Sequence, residues 1–319
     1  MNQPPKIPSY KVGFDLGGTK IEIIILSLSN SCVFRKRIPT PKRETEQDLS
    51  QQYHAILNSI KQLFTDSELE LGIALAHQTI GIGIPGAICP SSGLVKNANT
   101  VCLIGQAFQL DLENILKCKV RIANDADCFV LSEALDGAGQ DAKSVFGVII
   151  GTGCGGGLVI NKQLISGPNA ICGEWGHNPL PWAESDELLQ PCYCGKYGCI
   201  ETFLSGPGFA RHAKKLMSEE EPIVTAKVWH QRLLNNDSQA ELVFDRYARQ
   251  LAKALASVIN ILDPEVIVLG GGMSNIDFIY TRAAEILPEY VFSDRVLTKL
   301  VKAKHGDSSG VRGAAFLAQ

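Results

Sequence analysis

Three cysteines fall within the eight residues "CYCGKYGC", from Cys192 to Cys199. Thiols packed that closely can form a disulfide knot, a redox switch or part of a metal site. Two carboxylate groups also suggest chemistry. "DLGGTK" sets Asp15 just before Gly17, Gly18 and Thr19, and "RIANDADC" sets Asn124, Asp125 and Asp127 after a short apolar strand, Val120 to Ala123. A positioned carboxylate can take a proton from an attacking hydroxyl. At the end of a strand it can equally cap the next helix, which is the plain reading of Asp127.

Gly-rich turns end three apolar strands: "DLGGTK", "IGTGCGG" and "LGGGMS". Bare backbone N–H groups approach a phosphate where no Cβ intervenes, and such groups line an anion nest. An Asp beside a nest repels phosphate unless a cation bridges the two, and Mg²⁺ does this. The second turn has only Ile149 or Ile150 where the first has Asp15, so metal–phosphate chemistry is expected at the first loop. The alternative is that Asp15 merely hydrogen-bonds its turn. Gly151 to Gly156 also fits the dinucleotide fingerprint, with Glu174 downstream, but that fingerprint must open a helix. The following "GLVINKQLI" reads as a strand. No P-loop motif is present. "KHGDSS" groups His305, Asp307 and Ser308, but a nucleophilic triad is assembled in space rather than along the chain. These residues read as the turn before a last helix.

The elements that carry these residues follow from periodicity. "KVGFDLGGTKIEIIIL" (Lys11 to Leu26) and "SVFGVIIGTGCGGGLVI" (Ser144 to Ile160) are both strand, Gly-rich turn, strand. Two such hairpins predict a duplicated domain with a cleft between the halves. "ELVFDRYARQLAKALASVINIL" (Glu241 to Leu262) is apolar at helical spacing and stops at Asp263-Pro264. "EVIVLGGGMS" reads as a buried strand, and "GVRGAAFLAQ" as a short closing helix. The polar stretch from Lys214 to Gln239 reads as a helical excursion.

The chain has 319 residues, 45% hydrophobic and 20% charged, with net charge −3. That composition predicts a soluble globular protein with a real core. No dense Lys/Arg block predicts a nucleic-acid or anionic-membrane partner. No signal-like apolar segment or membrane-length run appears, so a cytoplasmic location is expected, where thiols stay mostly reduced. The other seven cysteines, Cys32, Cys89, Cys102, Cys118, Cys128, Cys154 and Cys172, read as small hydrophobes.

Together "DLGGTK", "NDADC", "GTGCGGG", "GEWGH" and "CYCGKYGCIE" resemble the ROK family of sugar kinases and regulators over nearly the whole chain. The resemblance implies a duplicated, actin-like (ribonuclease H-like) α/β ATPase fold binding sugar and ATP. It implies a small N-terminal lobe over 1–124, completed by a C-terminal helix at about 306–319, and a larger zinc-bearing lobe over 125–305. "GEWGHNPLPW" and "LVKNANT" look most like the bacterial fructokinase (manno-fructokinase) branch.

By the same resemblance His177 joins Cys192, Cys194 and Cys199 as zinc ligands. A closed four-ligand site is structural rather than catalytic. It would clamp the loop of Glu174 and His177 to the segment of Glu201. His177 would offer its second ring nitrogen to a sugar hydroxyl, and Glu174 and Glu201 would accept hydrogen bonds from others. The base is implied at Asp125, with Asn124 orienting the sugar and Asn99, rather than Asn97, touching it. Both asparagines also suit a simple turn. Trp175 and Trp182 could stack on the sugar or serve as core. The ATP site is implied at Asp15 (with Mg²⁺), Gly17, Gly18, Thr19, Lys20, Gly151, Thr152 and Gly153. Gly270, Gly271, Gly272 and Met273 are implied against the adenosine.

The expected activity is ATP-dependent phosphorylation of a hexose at its 6-hydroxyl, fructose first and mannose next, by a homodimer. N-acetylglucosamine or glucose kinase activity is the alternative. A sugar-responsive regulator of the same family is the other class, disfavoured because little chain precedes Asp15 to hold a DNA-binding domain. A non-catalytic sensor is disfavoured by the presence of Asp15 and Asp125.

Overall fold

The computed structural model describes residues 10–43, 48–76, 78–185, 187–217 and 223–318. The chain forms two compact units, the first from residues 1–132, 166–171 and 308–319, the second from 133–165 and 172–307. The expected boundary after residue 124 thus moves into a helix that begins at Asp125.

In the first unit the strands are β1 (Lys11–Leu16), β2 (Lys20–Leu26), β3 (Cys32–Pro39), β4 (Thr79–Ile84), the short β5 (Ala87–Ile88) and β6 (Val95–Lys96), and β7 (Lys119–Asn124). The helices are α1 (Leu49–Leu71), α2 (Phe108–Leu116) and the start of α3 (Asp125–Leu135). The main sheet runs β3-β2-β1-β4-β7, antiparallel on the β2–β3 side of β1 and parallel through β4 and β7. Val12, Phe14, Ile21, Ile23 and Ile25 are fully buried, with Ile56 and Ile60 of α1 in the same core. Neither α1 nor α2 is anticipated above.

The last helix, Ser309–Phe316, belongs to this unit because small residues let it lie directly on the sheet. A Cβ on Gly13 would meet the Ala315 backbone nitrogen at 2.3 Å, and one on Gly81 the Ala314 carbonyl oxygen at 1.7 Å. Real Cβ atoms do not approach that closely, so both strand positions need glycine.

The second unit repeats the plan. Its strands are β8 (Ser144–Ile150), β9 (Cys154–Ile160), β10 (Gln163–Leu164), β11 (Val266–Gly270) and β12 (Lys299–Lys302). The sheet order β10-β9-β8-β11-β12 has the same alternation, antiparallel on one side of β8 and parallel on the other. The two hairpins read from the sequence are therefore the corresponding parts of two like sheets. Helices α4 (Glu201–Leu204), α5 (Gly206–Met217), α6 (Ala226–Leu234), α7 (Ser238–Leu262) and α8 (Phe278–Ile286) cover this sheet.

Helix α7 begins three residues before the apolar pattern suggests. Asp237 caps it, Oδ1 accepting from the backbone of Gln239 at 2.8 Å. It ends at Asp263 in a left-handed conformation (φ 43°), just before Pro264. Residues 218–222 of the expected helical excursion lie outside the described residues; the rest is α5, α6 and their connections. Among the described residues no helix is long and apolar enough to cross a membrane.

Candidate active site

The first hairpin turn is closed by Gly17, whose N–H donates to the Lys20 carbonyl at 2.9 Å. Thr40 braces it from outside, Oγ1 donating to the Gly17 carbonyl at 2.7 Å and its N–H to the Thr19 carbonyl at 3.1 Å. A Cβ added to Gly18, Gly151 or Gly272 would meet nothing within 4 Å, and none of the three has a positive φ. The chain itself does not require glycine there. The open backbone fits an approach by something outside the chain, as a phosphate nest requires. The glycines at 153 and 271 have internal reasons. A Cβ on Gly153 would lie 2.8 Å from Glu201 Oε2, and Gly271 has φ +83°.

Asp15 sits on β1 with its carboxyl pushed up to about 6, first by burial and then by Asp125 and Glu22. Two carboxylates within electrostatic reach of each other, one of them half-buried, form the kind of site a divalent cation relieves. Asp15 thus fits the Mg²⁺ role expected of it. Glu22, its cross-strand partner, escaped the sequence reading. Its side chain is fully buried and ion-paired with Arg35, with Arg37 at 2.6 Å and with Lys20 at 3.8 Å. The single acid inside "KIEIIIL" is the signal that could have found it.

Asp125 stands exposed where β7 gives way to α3. The helix is capped by Asn124, whose Oδ1 accepts the Ala126 N–H at 2.8 Å, and not by Asp127. Asp125 Oδ1 shares that donor at 2.9 Å. Asn124 Nδ2 donates to the Gly86 carbonyl at 3.3 Å, and the Asn99 N–H donates to the Pro85 carbonyl at 2.9 Å. The turn at Pro85–Gly86 therefore brings Asn99, Asn124 and Asp125 to one edge of the first unit. Asn97 has φ 53° and serves its turn.

In the second unit the loop carrying Glu174 and His177 lies backbone-to-backbone on β9. A Cβ on Gly173 would be 2.3 Å from the Gly156 oxygen, and one on Gly176 would be 2.1 Å from the Cys154 oxygen. The glycines of "GEWGH" are what admit this contact. Trp175 is core: its indole donates to the Gly155 carbonyl at 3.0 Å and packs edge-on against Phe146. Trp182 is half exposed and packs on Tyr290 instead. The Trp175 indole is therefore committed to the core.

The chain beyond His177 pairs with the cysteine segment. Ile200 N–H donates to the Asn178 carbonyl at 2.9 Å, and Leu180 N–H to the Gly198 carbonyl at 2.8 Å. One ligand atom each from His177, Cys192, Cys194 and Cys199 lies within 4.8 Å of the others. Cys194 Sγ is 3.6 Å from Cys199 Sγ, and Cys192 Sγ is 3.7 Å from His177 Nδ1. A tetrahedral zinc with bonds of about 2–2.3 Å needs ligand separations of roughly 3.5–3.8 Å. The donor set and its spacing fit zinc, with Nδ1 as the histidine ligand. Burial, then Cys194 and Cys192, push the Cys199 thiol up to about 12. A cation would offset that cost of gathering thiolates.

Glu201 opens α4 beside the cluster and points Oε2 at the Cys154 N–H, 2.9 Å away. Tyr193 OH lies 3.1 Å from His177 Nε2. Its phenol is pushed up to about 12, by burial first and then by Glu201, Cys192 and Glu174. His305 pairs with Asp136 at 2.9 Å rather than with Asp307, so "KHGDSS" forms no triad.

A cavity of about 780 Å³ lies within the second unit. Gly151, Thr152, Gly272 and Met273, expected at a nucleotide, line it with Gly206, Pro207, Thr225, Lys227, His230 and Asn275. These latter residues come from α5, α6 and the turn after β11, and no motif marks them. The apolar walls and few polar groups suit a flat, partly polar ligand such as a nucleoside.

The two like sheets, each opening into a Gly-rich hairpin, define an actin-like ATPase fold. The model of the ROK family matches residues 11–319, and the chain belongs to that family. An N-acetyl-D-glucosamine kinase of Pectobacterium atrosepticum is 38% identical over 310 residues, covering 96% of this chain and 97% of that protein. Among solved structures, a ROK hexokinase from Thermus thermophilus superposes with a TM-score of 0.81 at 27% identity, covering 96% of this chain and 97% of its own. A ROK family transcriptional regulator, a homologue of the E. coli MLC protein, reaches a TM-score of 0.82 at 22% identity over 99% of this chain and 79% of its own. That last likeness concerns the fold alone. The fructokinase branch expected from "GEWGHNPLPW" and "LVKNANT" finds no support in these relatives, which favour the N-acetylglucosamine alternative.

Proposed function

We propose that this protein is an ATP-dependent N-acetyl-D-glucosamine kinase that phosphorylates the sugar's 6-hydroxyl. The observation that carries the reading is the near full-length similarity to N-acetyl-D-glucosamine kinases, in a chain that holds Asp15, Asp125 and the Cys/His cluster together with the open glycine turns. Asp125 takes the hydroxyl proton as the O6–phosphorus bond forms and the bond to the β-phosphate oxygen breaks, giving ADP and the sugar 6-phosphate. Asn124 and Asn99, fixed by the Pro85–Gly86 turn, orient the sugar. Glu174, His177 and Glu201 accept or donate to its other hydroxyls. The glycine turns offer N–H groups to the phosphates, and the second-unit cavity takes the adenosine. Asp15 would hold Mg²⁺, which neutralises developing charge on the phosphates.

His177, Cys192, Cys194 and Cys199 would hold zinc, which would fix the sugar-facing loop rather than take part in transfer. ADP release over a panel of N-acetylglucosamine, N-acetylmannosamine, glucose, mannose and fructose tests the reading. N-acetylglucosamine should give the highest kcat/KM, and Asp125→Asn should lower kcat by about 10²–10⁴. Preference for an unacetylated hexose would overturn the assignment of the sugar. Full turnover by Asp125→Asn would overturn the base.

A further inference from the structure

Tyr193 stands in the cysteine turn between Cys192 and Cys194, and no role above uses it. It is 77% exposed, yet its side chain folds back onto the site. Its hydroxyl lies 3.1 Å from His177 Nε2, and the two rings meet edge to face with centroids 5.2 Å apart. Glu201 and Glu174 are within electrostatic reach of the same hydroxyl. His177, Glu174 and Glu201 are the three groups assigned above to sugar hydroxyls.

A phenol offers one O–H donor and acceptor lone pairs, the same equipment as a sugar hydroxyl. His177 faces Cys192 with Nδ1, so Nε2 carries the one N–H that remains when Nδ1 serves as a ligand. A single N–H has one hydrogen to give. Tyr193 and a sugar hydroxyl compete for it.

We propose that Tyr193 is a built-in placeholder, its hydroxyl occupying on His177 the hydrogen-bonding position that a substrate hydroxyl takes, so that sugar binding must displace it. The inference rests on the sugar-kinase reading. An exposed ring leaves the site at little cost in buried area, which suits a group that has to yield. Until then it keeps the His177 imidazole oriented. Tyr193 is thus a positioning residue that sets sugar affinity through His177.

The test is calorimetric titration of the zinc-loaded full chain with N-acetylglucosamine, comparing wild type, Tyr193→Phe and Tyr193→Ala. Loss of one competing hydrogen bond should tighten sugar binding about two- to tenfold in Tyr193→Phe, with zinc content unchanged. Tyr193→Ala should also bind more tightly, since it lacks the hydroxyl as well. A gain is informative because damage to a site weakens binding. Sugar should also produce a tyrosine ultraviolet difference signal in wild type that Tyr193→Phe lacks. Unchanged or weaker binding by Tyr193→Phe at full zinc content overturns the placeholder while leaving the kinase reading intact. If wild type itself binds none of the panel sugars, the sugar reading fails and the placeholder falls with it.

Discussion

Glu201 Oε2 accepts the Cys154 N–H at 2.9 Å, so a residue two positions after the cysteine turn is bonded to the start of β9 in the second glycine hairpin. That bond gives Glu201 a structural duty beside the one proposed for it toward the sugar. Glu201→Gln keeps an oxygen for Cys154 but loses the charge that strengthens bonds to sugar hydroxyls. It should raise the sugar KM about ten- to hundredfold with little change in Tm. Glu201→Ala loses the Cys154 bond too and should also lower Tm. Steady-state kinetics with thermal melts separates the two, and an unchanged KM in Glu201→Gln would reduce the residue to its structural duty.

Removing the metal should hurt sugar binding more than nucleotide binding. Among the described residues, none lining the second-unit cavity lies between Cys172 and Ile200, whereas Glu174 and His177 are held by the segment that the cysteines close. Chelation, or Cys199→Ala at a site only 1% exposed, should release zinc, lower Tm and raise the sugar Kd by at least about tenfold. Binding of a non-hydrolysable ATP analogue should survive. Calorimetry with each ligand, beside metal analysis, would show the asymmetry, and equal loss of both would refute it.

Asp15 would link stability to the proposed Mg²⁺ binding through one carboxyl. Its pKa rises from 3.8 to about 6 on folding, chiefly by burial. The folded chain therefore holds a proton that the unfolded chain has released, and stability falls as pH rises from about 4 to 6. Above that range the full cost remains until a cation arrives. Asp15→Asn should be more stable than wild type in metal-free buffer at pH 8, by about 1–3 kcal/mol, and less so at pH 5. The same variant should lose Mg-ATP turnover. In wild type, Mg-nucleotide affinity should weaken below about pH 6, where protons compete for the carboxylate. A stability difference independent of pH would contradict this account.

What could be read from the sequence was what local chemistry dictates. The cysteine turn, the glycine hairpins and the period of α7 each carry their signal in a few adjacent residues. The four residues expected as zinc ligands lie close enough to share a metal, on a loop whose close packing against β9 requires the glycines of "GEWGH". The helix cap went to Asn124 instead of Asp127 because capping depends on the residue where β7 turns, and both types suit it. Trp175 suited either a sugar platform or the core and is a wedge against β9, a distinction made by tertiary packing alone. Thr225, Lys227 and His230 reach the cavity from a helix whose sequence has no motif. The proposed acetyl preference would depend on pocket shape, which residue types do not encode singly.

His212 on α5 should make the protein acid-sensitive. It is 7% exposed, packs on Phe203 with ring centroids 4.7 Å apart, and its Nε2 has no partner among the described residues. Burial first, then Arg246, lowers its pKa from 6.5 to about 4, with Arg211 and Lys215 adding to this and Glu187 opposing it. The imidazole is neutral when folded and must take up a proton on unfolding at mildly acid pH. Its contribution is therefore full above about pH 6.5 and is lost as pH falls toward 4, up to about 3 kcal/mol. Asp15 acts in the opposite direction over much of that range, so the two partly cancel in wild type. His212→Phe keeps an aromatic ring against Phe203 and removes the titration. Urea unfolding at pH 5 and pH 7.5 should show a smaller loss of stability on acidification in His212→Phe than in wild type. The same loss in both proteins would place the acid sensitivity elsewhere.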